Sequence, residues 1–198
     1  MNADDRALAR QAACQALLRE ARAIEAAHGI TPAGMDRMRQ LVIGLAQQGD
    51  TLFPDADFAP PQAYGRNHLL DDTTDAQFAL YLTVTLPGKE STPHDHGIWC
   101  VNAGLSGSEL QRFYRRTDDG SRPGFGTVEE IDRAVVSSGT AIAMANHDIH
   151  ATLTTGDRPS RSLALYGYAL NRFPEVTFFL PEFGTVRTLP SRRPLVRA

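Results

Sequence analysis

The segment from residue 88 to residue 107 constrains the fold of this chain more than any other stretch. It contains a His-x-His pair, His94 and His96, between Gly88 and Gly107. Side chains alternate along a β-strand, so two histidines one residue apart project to the same side. Neutral imidazole is the commonest protein ligand of first-row metals, and such a pair needs one or two further donors to complete a mononuclear site. The segment therefore predicts extended structure that holds part of a metal centre.

The first fifty residues have the periodicity of helices. Apolar residues recur every three or four positions over residues 3–28, and Gly29 ends this pattern. Thr31 and Pro32 then provide a cap followed by a proline at the first helical position, and a second amphipathic pattern continues to about Gln48. We predict an N-terminal helical pair that packs on the rest of the chain as a scaffold.

The remainder of the chain has the pattern of a β protein. Many short apolar or alternating runs are separated by Gly, Pro, Asp and Ser, which favours a sandwich or small barrel over alternating βα units. A chain of 198 residues suits a single domain, with a helical segment at 1–50 and a β-barrel at 64–190. The predicted strands are residues 77–84, 98–103, 109–115, 128–136, 140–144, 150–154, 161–170, 175–180 and 184–188.

Composition limits the partners and the compartment. The net charge is −3, which does not suggest a nucleic-acid or membrane-surface partner, so we expect a small-molecule ligand. We find no run of ~20 apolar residues and no secretory signal, and we expect a cytoplasmic protein. The two cysteines, Cys14 and Cys100, do not suggest a disulfide framework. The oligomeric state is left open by the sequence.

The spacing around the histidine pair resembles the first cupin motif. Gly88 is followed by five residues, then His94-x-His96, and Gly107 lies eleven residues after the second histidine. Most metal-binding cupins have a glutamate seven residues before that last glycine, and here this position is Cys100. The sequence is therefore similar to the thiol dioxygenases, typified by cysteine dioxygenase, which bind iron with three histidines. This resemblance implies a mainly β fold, the cupin jelly roll or double-stranded β-helix, with the helical pair before it.

The third histidine has two candidates, His147 and His150. Gly139 lies eleven residues before His150, which is the distance between the leading glycine and the histidine of the second cupin motif. The proline, glycine and asparagine usual in that motif are absent, but residues 148–150, Asp-Ile-His, resemble this segment of the thiol dioxygenases. We therefore predict that His150 is the third ligand and that His147 is a loop residue.

The segment from Ser162 to Tyr166 resembles the serine-x-histidine-x-tyrosine strand of the thiol dioxygenases, whose polar side chains face the iron. Alternation places Ser162, Ala164 and Tyr166 on one face, but Ala164 replaces the histidine and interrupts the row. Cys100 and Tyr166 match the two positions that the animal-type enzymes join in a thioether, so the resemblance implies this crosslink. The match is counted back from Gly107. It assumes that this chain has one residue fewer after His96 than the animal-type enzymes. If that gap lies elsewhere, Cys100 points the other way as a small buried residue.

Tyr64-x-Arg66 resembles the segment in which cysteine dioxygenases present an arginine to the substrate carboxylate. Guanidinium suits this role because its planar donors pair with a carboxylate at two points and because it remains charged when partly buried. The resemblance thus implies that Arg66 and Tyr64 bind substrate and that Tyr166, Cys100 and Ser162 act in catalysis. It covers about residues 64–170 of the chain.

The resemblance implies an Fe(II)-dependent dioxygenase that uses O2 to oxidise a small thiol, such as cysteine or 3-mercaptopropionate, to its sulfinic acid. Three imidazoles without a carboxylate leave coordination positions for a thiolate and dioxygen, whereas zinc lacks the redox states for this chemistry. Two alternatives stay open. Ala164 favours a cupin oxygenase that acts on another small substrate, and the metal motif also suits a sensory or metal-binding cupin without turnover.

Overall fold

The computed structural model describes residues 2–75, 77–172, 175–189 and 195–197. Three short 3-10 helices cover Asp55–Asp57, Leu170–Arg172 and Pro181–Phe183. The α-helices are α1 (Ala3–His28), α2 (Pro32–Ala46) and α3 (Gly49–Leu52). The strands are β1 (Gly65–Asp72), β2 (Ala79–Thr85), β3 (His94–Asp95), β4 (Cys100–Ser106), β5 (Ser108–Arg116), β6 (Val128–Ser137), β7 (Ala141–Met144), β8 (Ile149–Thr155), β9 (Ser160–Tyr166), β10 (Val176–Leu180), β11 (Thr185–Leu189) and β12 (Leu195–Arg197).

In the part of the chain that the structure describes, the strands form two six-stranded sheets. The first has the order β12-β1-β2-β9-β4-β7, and the second has the order β11-β10-β3-β8-β5-β6. From β2 to β5, and again from β6 to β10, each successive strand lies in the other sheet, which is the winding of a double-stranded β-helix. The fold is therefore the mainly β cupin jelly roll with an N-terminal helical pair, as predicted.

Local capping sets the ends of the two long helices. The Asn2 side chain accepts a hydrogen bond from the Asp5 backbone N–H at 2.8 Å, and α1 ends at Gly29, which has φ 61°. The Thr31 hydroxyl accepts from the Gly34 N–H at 3.2 Å, and a proline occupies the first turn of α2. These interactions satisfy backbone N–H groups that a helix start leaves without intrahelical partners. The helix bounds predicted from the sequence are accordingly close to those observed.

The helical pair covers the outer face of the first sheet. Alternation along each strand gives this sheet an apolar outer face and a separate inner face that lines the barrel. All seven side chains of β9 are buried, because helices cover one face and the second sheet covers the other. The outer core comprises Leu17, Leu18, Ala21, Met35, Met38 and Val42 of the helices against Leu80, Leu82, Val101, Ala103, Leu163 and Leu165 of the sheet.

One predicted strand is too long: β9 was expected to continue to residue 170 and stops at Tyr166. Gly167 packs directly on the indole of Trp99, where a Cβ atom would lie 2.4 Å from Nε1. The chain therefore leaves the sheet at this point. Residues 65–70, which were not assigned as a strand, belong to β1 (Gly65–Asp72), and β12 pairs with β1 in parallel. None of the helices in the described chain has the length and apolar character needed to cross a membrane.

Candidate metal centre

Three buried histidines converge inside the barrel. His94 on β3 is the cross-strand partner of His150 on β8, and His96 follows two residues after His94. One ring nitrogen from each histidine lies within 4.8 Å of those from the other two, and the Nε2 atoms of His94 and His96 are 2.8 Å apart. This separation is shorter than two metal–nitrogen bonds of about 2.0–2.1 Å, so both atoms can bind one ion. The cluster is a metal site in its geometry and donor chemistry.

Hydrogen bonds to the outer ring nitrogens set the tautomers of two ligands. His94 Nδ1 donates to the backbone carbonyl of Thr92 at 2.8 Å, and His150 Nδ1 donates to Gln111 Oε1 at 3.0 Å. Because both partners are carbonyl oxygens, the proton of each ring is on Nδ1, and the lone pair on Nε2 is directed to the cluster. These hydrogen bonds therefore orient both rings for metal binding.

Of the two candidates for the third ligand, the structure brings His150 and not His147 to the cluster. The side chain of His147 is 75% exposed, and its Nδ1 lies 3.0 Å from Asp95 Oδ2. His147 also adopts a positive φ of 68°, as befits a residue in a tight turn. This histidine pairs with a carboxylate at the surface and does not face the barrel interior.

Two buried polar residues on β5, Glu109 and Gln111, support the cluster and were not singled out from the sequence. Gln111 is fully buried, and its Nε2 donates to Glu109 Oε2 at 3.1 Å while its Oε1 faces His150. The Glu109 carboxyl also accepts from Ser160 Oγ at 2.5 Å and from Asn102 Nδ2 at 3.3 Å. Burial raises the pKa of Glu109, and these three donors oppose that rise.

The histidines face a cavity of about 560 Å³ between the two sheets. Ser162, Ala164 and Tyr166 line it together, as the alternation along β9 predicts. The same alternation could have indicated Glu109 and Gln111 from the sequence, because they lie two residues apart in a predicted strand and so share one face. Their relation to His150 depends on the register of β5 with β8, in which Gln111 is opposite Thr152 and Phe113 is opposite His150.

Cys100 and Tyr166 are directly opposite each other on neighbouring strands. The register of β4 with β9 pairs Cys100 with Tyr166, and both belong to the same buried cluster on the inner face of the first sheet. The Tyr166 ring lies 5.5 Å from that of His96 and 5.9 Å from that of Tyr81, with edge-to-face geometry in both contacts. Cys100 therefore points to the inner face, next to the tyrosine that contacts a metal ligand.

Tyr64 and Arg66 line the cavity, and because Tyr64 is exposed and Arg66 half-buried, they lie at its solvent-facing rim. The register pairs Arg66 with Val84, which belongs to the outer core, whereas Asn67 is paired with Thr83 of the cavity wall. Alternation along β1 thus places the Arg66 side chain on the face of His68, whose pKa is lowered by burial and to a smaller extent by Arg66. The structure brings Arg66 to the entrance and not onto the inner wall.

The sequence matches no protein-family model and no curated protein. Similar solved structures include an oxalate oxidase (16% identity, 52% of this chain and 46% of that chain, TM-score 0.39). They also include the Cupin_2 domain of an XRE family transcriptional regulator from Enterobacter cloacae (19% identity, 54% of this chain and 99% of that chain, TM-score 0.38). A third is KdgF from Halomonas sp. (14% identity, 55% of this chain and 83% of that chain, TM-score 0.41). The matching region spans about half of the oxalate oxidase chain. None of these similarities indicates what this chain acts on.

Proposed function

We propose that this protein is an Fe(II)-dependent thiol dioxygenase that adds both atoms of O2 to the sulfur of a small thiol and produces a sulfinic acid. The observation that supports this most directly is the ligand set, three imidazoles without a carboxylate in the cluster formed by the described residues. Neutral ligands favour an anionic donor such as a thiolate, and they leave coordination positions open. Iron bound there supplies the redox chemistry that joins a thiol to dioxygen, which zinc does not.

The residues on β9 suit such a reaction in part. Tyr166 contacts the ring of His96 and lines the cavity, and these contacts support our assignment of its phenol to orienting a substrate or dioxygen. Ser162 lines the same wall, but Ala164 separates it from Tyr166. Tyr166 therefore acts without the intervening histidine that the thiol dioxygenases have. This difference favours a second candidate function, a cupin oxygenase that acts on another small substrate.

We assign the substrate carboxylate to Arg66 at the rim, with Tyr64 beside it. Arg66 is the side chain with a permanent positive charge among the described residues that line the cavity. A small thiol with a carboxylate can then place its sulfur at the histidines and its charge at the entrance. Cysteine is the first substrate to test, and 3-mercaptopropionate is the second.

The decisive experiment is oxygen uptake by the iron-loaded protein with a panel of small thiols. We expect uptake with cysteine or 3-mercaptopropionate, formation of the corresponding sulfinate, and loss of both in a His150→Ala variant. His147→Ala is the matched control, because this exposed histidine lies outside the cluster. Absence of uptake with every thiol would contradict the proposal. Uptake with another small substrate would favour the second candidate, and a tightly bound ligand without product would indicate a sensory cupin.

We further propose the Cys100–Tyr166 thioether as a modification of this centre. Joining Cys100 Sγ to the phenol ring of Tyr166 breaks the S–H bond and one ring C–H bond, and dioxygen accepts the two hydrogen atoms as hydrogen peroxide. Alkylation of the unfolded protein then modifies Cys14 alone, whereas protein without the crosslink is modified at both cysteines. Intact mass and alkylation stoichiometry after incubation with iron, cysteine and oxygen measure this directly. Cys100→Ala is the control that abolishes the mass change.

A further inference from the structure

Two polar atoms on the inner wall of the cavity have no hydrogen-bond partner among the described residues. They are Ser162 Oγ and Asn102 Oδ1, and both atoms are buried. Ser162 is only 2% exposed. The hydroxyl of its cross-strand neighbour Thr83 donates to Asn67 Oδ1 at 2.8 Å and not to Ser162. A buried polar atom without a partner is costly, so this wall is built to receive a group that supplies the missing hydrogen bonds.

Ala164 provides the space for such a group. The register of β4 with β9 places Ala164 directly opposite Asn102, and Ser162 is the next inward residue along β9. All three line the cavity, and Ala164 carries only a methyl group beside its two polar neighbours. We refer to Asn102, Ala164 and Ser162 as the recess. The Asn102–Ala164 pair lies two residues along the strands, roughly 7 Å, from the Cys100–Tyr166 pair.

The recess favours a hydrogen-bond donor over a carboxylate. The Asn102 amide nitrogen is already engaged with Glu109, which leaves its Oδ1 as an acceptor toward the cavity. The Glu109 carboxyl lies directly behind this amide, and no cationic side chain is among the recess residues. A carboxylate would face an amide oxygen and a buried carboxyl group, whereas an ammonium or amine N–H group would find two acceptors.

We propose that the recess binds the amino group of the thiol substrate, so that Asn102 and Ser162 select an aminothiol carboxylate over the same thiol without the amine. This inference rests on the proposed function, because it assumes that the sulfur binds at the histidines. The α-amino group of cysteine is three bonds from its sulfur, and its carboxylate remains free to point to Arg66 at the rim. Binding of the amino group in the recess would thus determine the specificity for the substrate.

The test compares two thiols that differ only in the α-amino group, cysteine and 3-mercaptopropionate. Their dissociation constants are measured without oxygen on the cobalt(II)-loaded protein, in which thiolate binding produces a visible absorption band. We expect cysteine to bind about tenfold more tightly than 3-mercaptopropionate in the wild type. In Ser162→Ala and in Asn102→Ala we expect this ratio to fall to about one to threefold. Thr177→Val, which alters a surface hydroxyl pair, is the control that retains the wild-type ratio.

The two variants also separate the recess from direct binding of the amine to the metal. A preference that arises from amine coordination survives both substitutions, and that result overturns the inference, as does an equal affinity for the two thiols in the wild type. Ser162→Ala is the milder variant, because the Ser162 hydroxyl makes no hydrogen bond within the described chain that the substitution would break. Its folding is therefore expected to be retained if Asn102→Ala unfolds.

Failure of the proposed function has a different signature. If neither thiol binds the metal, thiol oxidation is excluded, and the recess is tested with serine and 3-hydroxypropionate, another pair that differs only in the amine. The readout is the NMR signal of the Asn102 side-chain amide. A shift with serine alone supports an amine site, and no shift with either compound overturns it.

Discussion

Gln111 connects the buried Glu109 carboxyl to a metal ligand. Its Oε1 accepts the Nδ1 proton of His150 at 3.0 Å and also accepts from Thr152 Oγ1 at 3.0 Å. Its Nε2 is held by Glu109, so the amide has one orientation that satisfies all of these partners. At the scale of single residues, this amide fixes both the tautomer and the rotation of the His150 ring.

We expect Gln111→Leu to weaken metal binding about 10- to 100-fold, the usual effect of removing a hydrogen bond to a ligand histidine. Thr152→Val is the matched control, because it removes the other donor to the same oxygen and leaves the bond to His150 intact. Competition of the purified variants with a chromophoric chelator measures the affinity. Equal affinities for wild type and Gln111→Leu would show that the ring is held without the amide.

The ligands were predictable from the sequence, and their supports were not, for a physical reason. His94 and His96 are coupled by the alternation of side chains along one extended segment, and His150 fits a spacing that a turn and a strand impose. Gln111 reaches His150 only through the register of β5 with β8, and Asn102 meets Ala164 only through the register of β4 with β9. Such cross-strand relations depend on pairing partners that a single sequence does not specify.

Glycine turns set the ends of the elements that place the ligands. Gly107 joins β4 to β5 with φ +67°, and a Cβ there would lie 2.5 Å from the Pro159 carbonyl oxygen and 2.9 Å from Ser160 Cα. Gly139 precedes β7 with φ +82°, and a Cβ there would meet no atom of the described residues within 4 Å beyond its own chain neighbours. The two glycines of the sequence motifs thus differ in their surroundings but share a left-handed backbone.

We expect Gly139→Ala to cost about 1–2 kcal/mol, the penalty of a left-handed conformation for an L-residue. Gly107→Ala should cost about 2–5 kcal/mol, because the backbone of β9 must also move. Urea unfolding of both variants measures the difference. If Gly107→Ala is no less stable than Gly139→Ala, the close approach to Pro159 is not a constraint on the fold.

Near the start of the chain, Asp57 in the 3-10 helix before β1 forms hydrogen bonds with two arginines of α1. Arg6 donates two hydrogen bonds to this carboxylate, each at 3.0 Å, and Arg10 donates a third at 2.8 Å. The hydrogen bonds from Arg6 are the main reason that the pKa of Asp57 falls from 3.8 to about 2. A carboxyl whose pKa is lower in the folded state stabilises the fold above the unfolded pKa and loses this contribution as the pH falls through the folded pKa.

We therefore expect Asp57→Asn to lower the free energy of unfolding by about 1 kcal/mol near pH 7, allowing for solvent screening of a partly exposed group. The difference from wild type should shrink between about pH 4 and pH 2, as the wild-type carboxyl becomes protonated. Chemical unfolding at several pH values measures it. Arg6→Gln is the control, since it removes the main cause of the lowered pKa, and a difference that stays constant with pH would contradict this assignment.

The elements were predicted to different extents because different forces define them. The predicted helix over residues 3–28 matches α1 (Ala3–His28), since caps and periodicity are local. The two-residue strand β3 exists only because β10 and β8 flank it, and the sequence predicted no separate strand there. The second helix was predicted to about Gln48, whereas α2 ends at Ala46 and α3 follows it.

On the scale of the whole molecule, the two sheets have separate tasks. The second sheet provides His94 and His150, while the first provides the inner wall of the cavity and rests on the helical pair. A metal ion that binds His94, His96 and His150 therefore links β3 to β8 within the second sheet, on the side that faces the first sheet. Because the ligands converge only in the folded chain, binding of the ion adds to the free energy of folding.

We expect saturation with zinc to raise the free energy of unfolding by about 2.7 kcal/mol when the free ion is at 100 times its dissociation constant. For a chain of this length, this corresponds to an increase in Tm of about 5–10 °C. His150→Ala should lose most of the increase, and His147→Ala, the exposed control, should retain it. Thermal unfolding at a series of zinc concentrations measures all three proteins. Equal zinc-induced shifts in His150→Ala and wild type would mean that the ion binds elsewhere and that the three imidazoles do not form the centre.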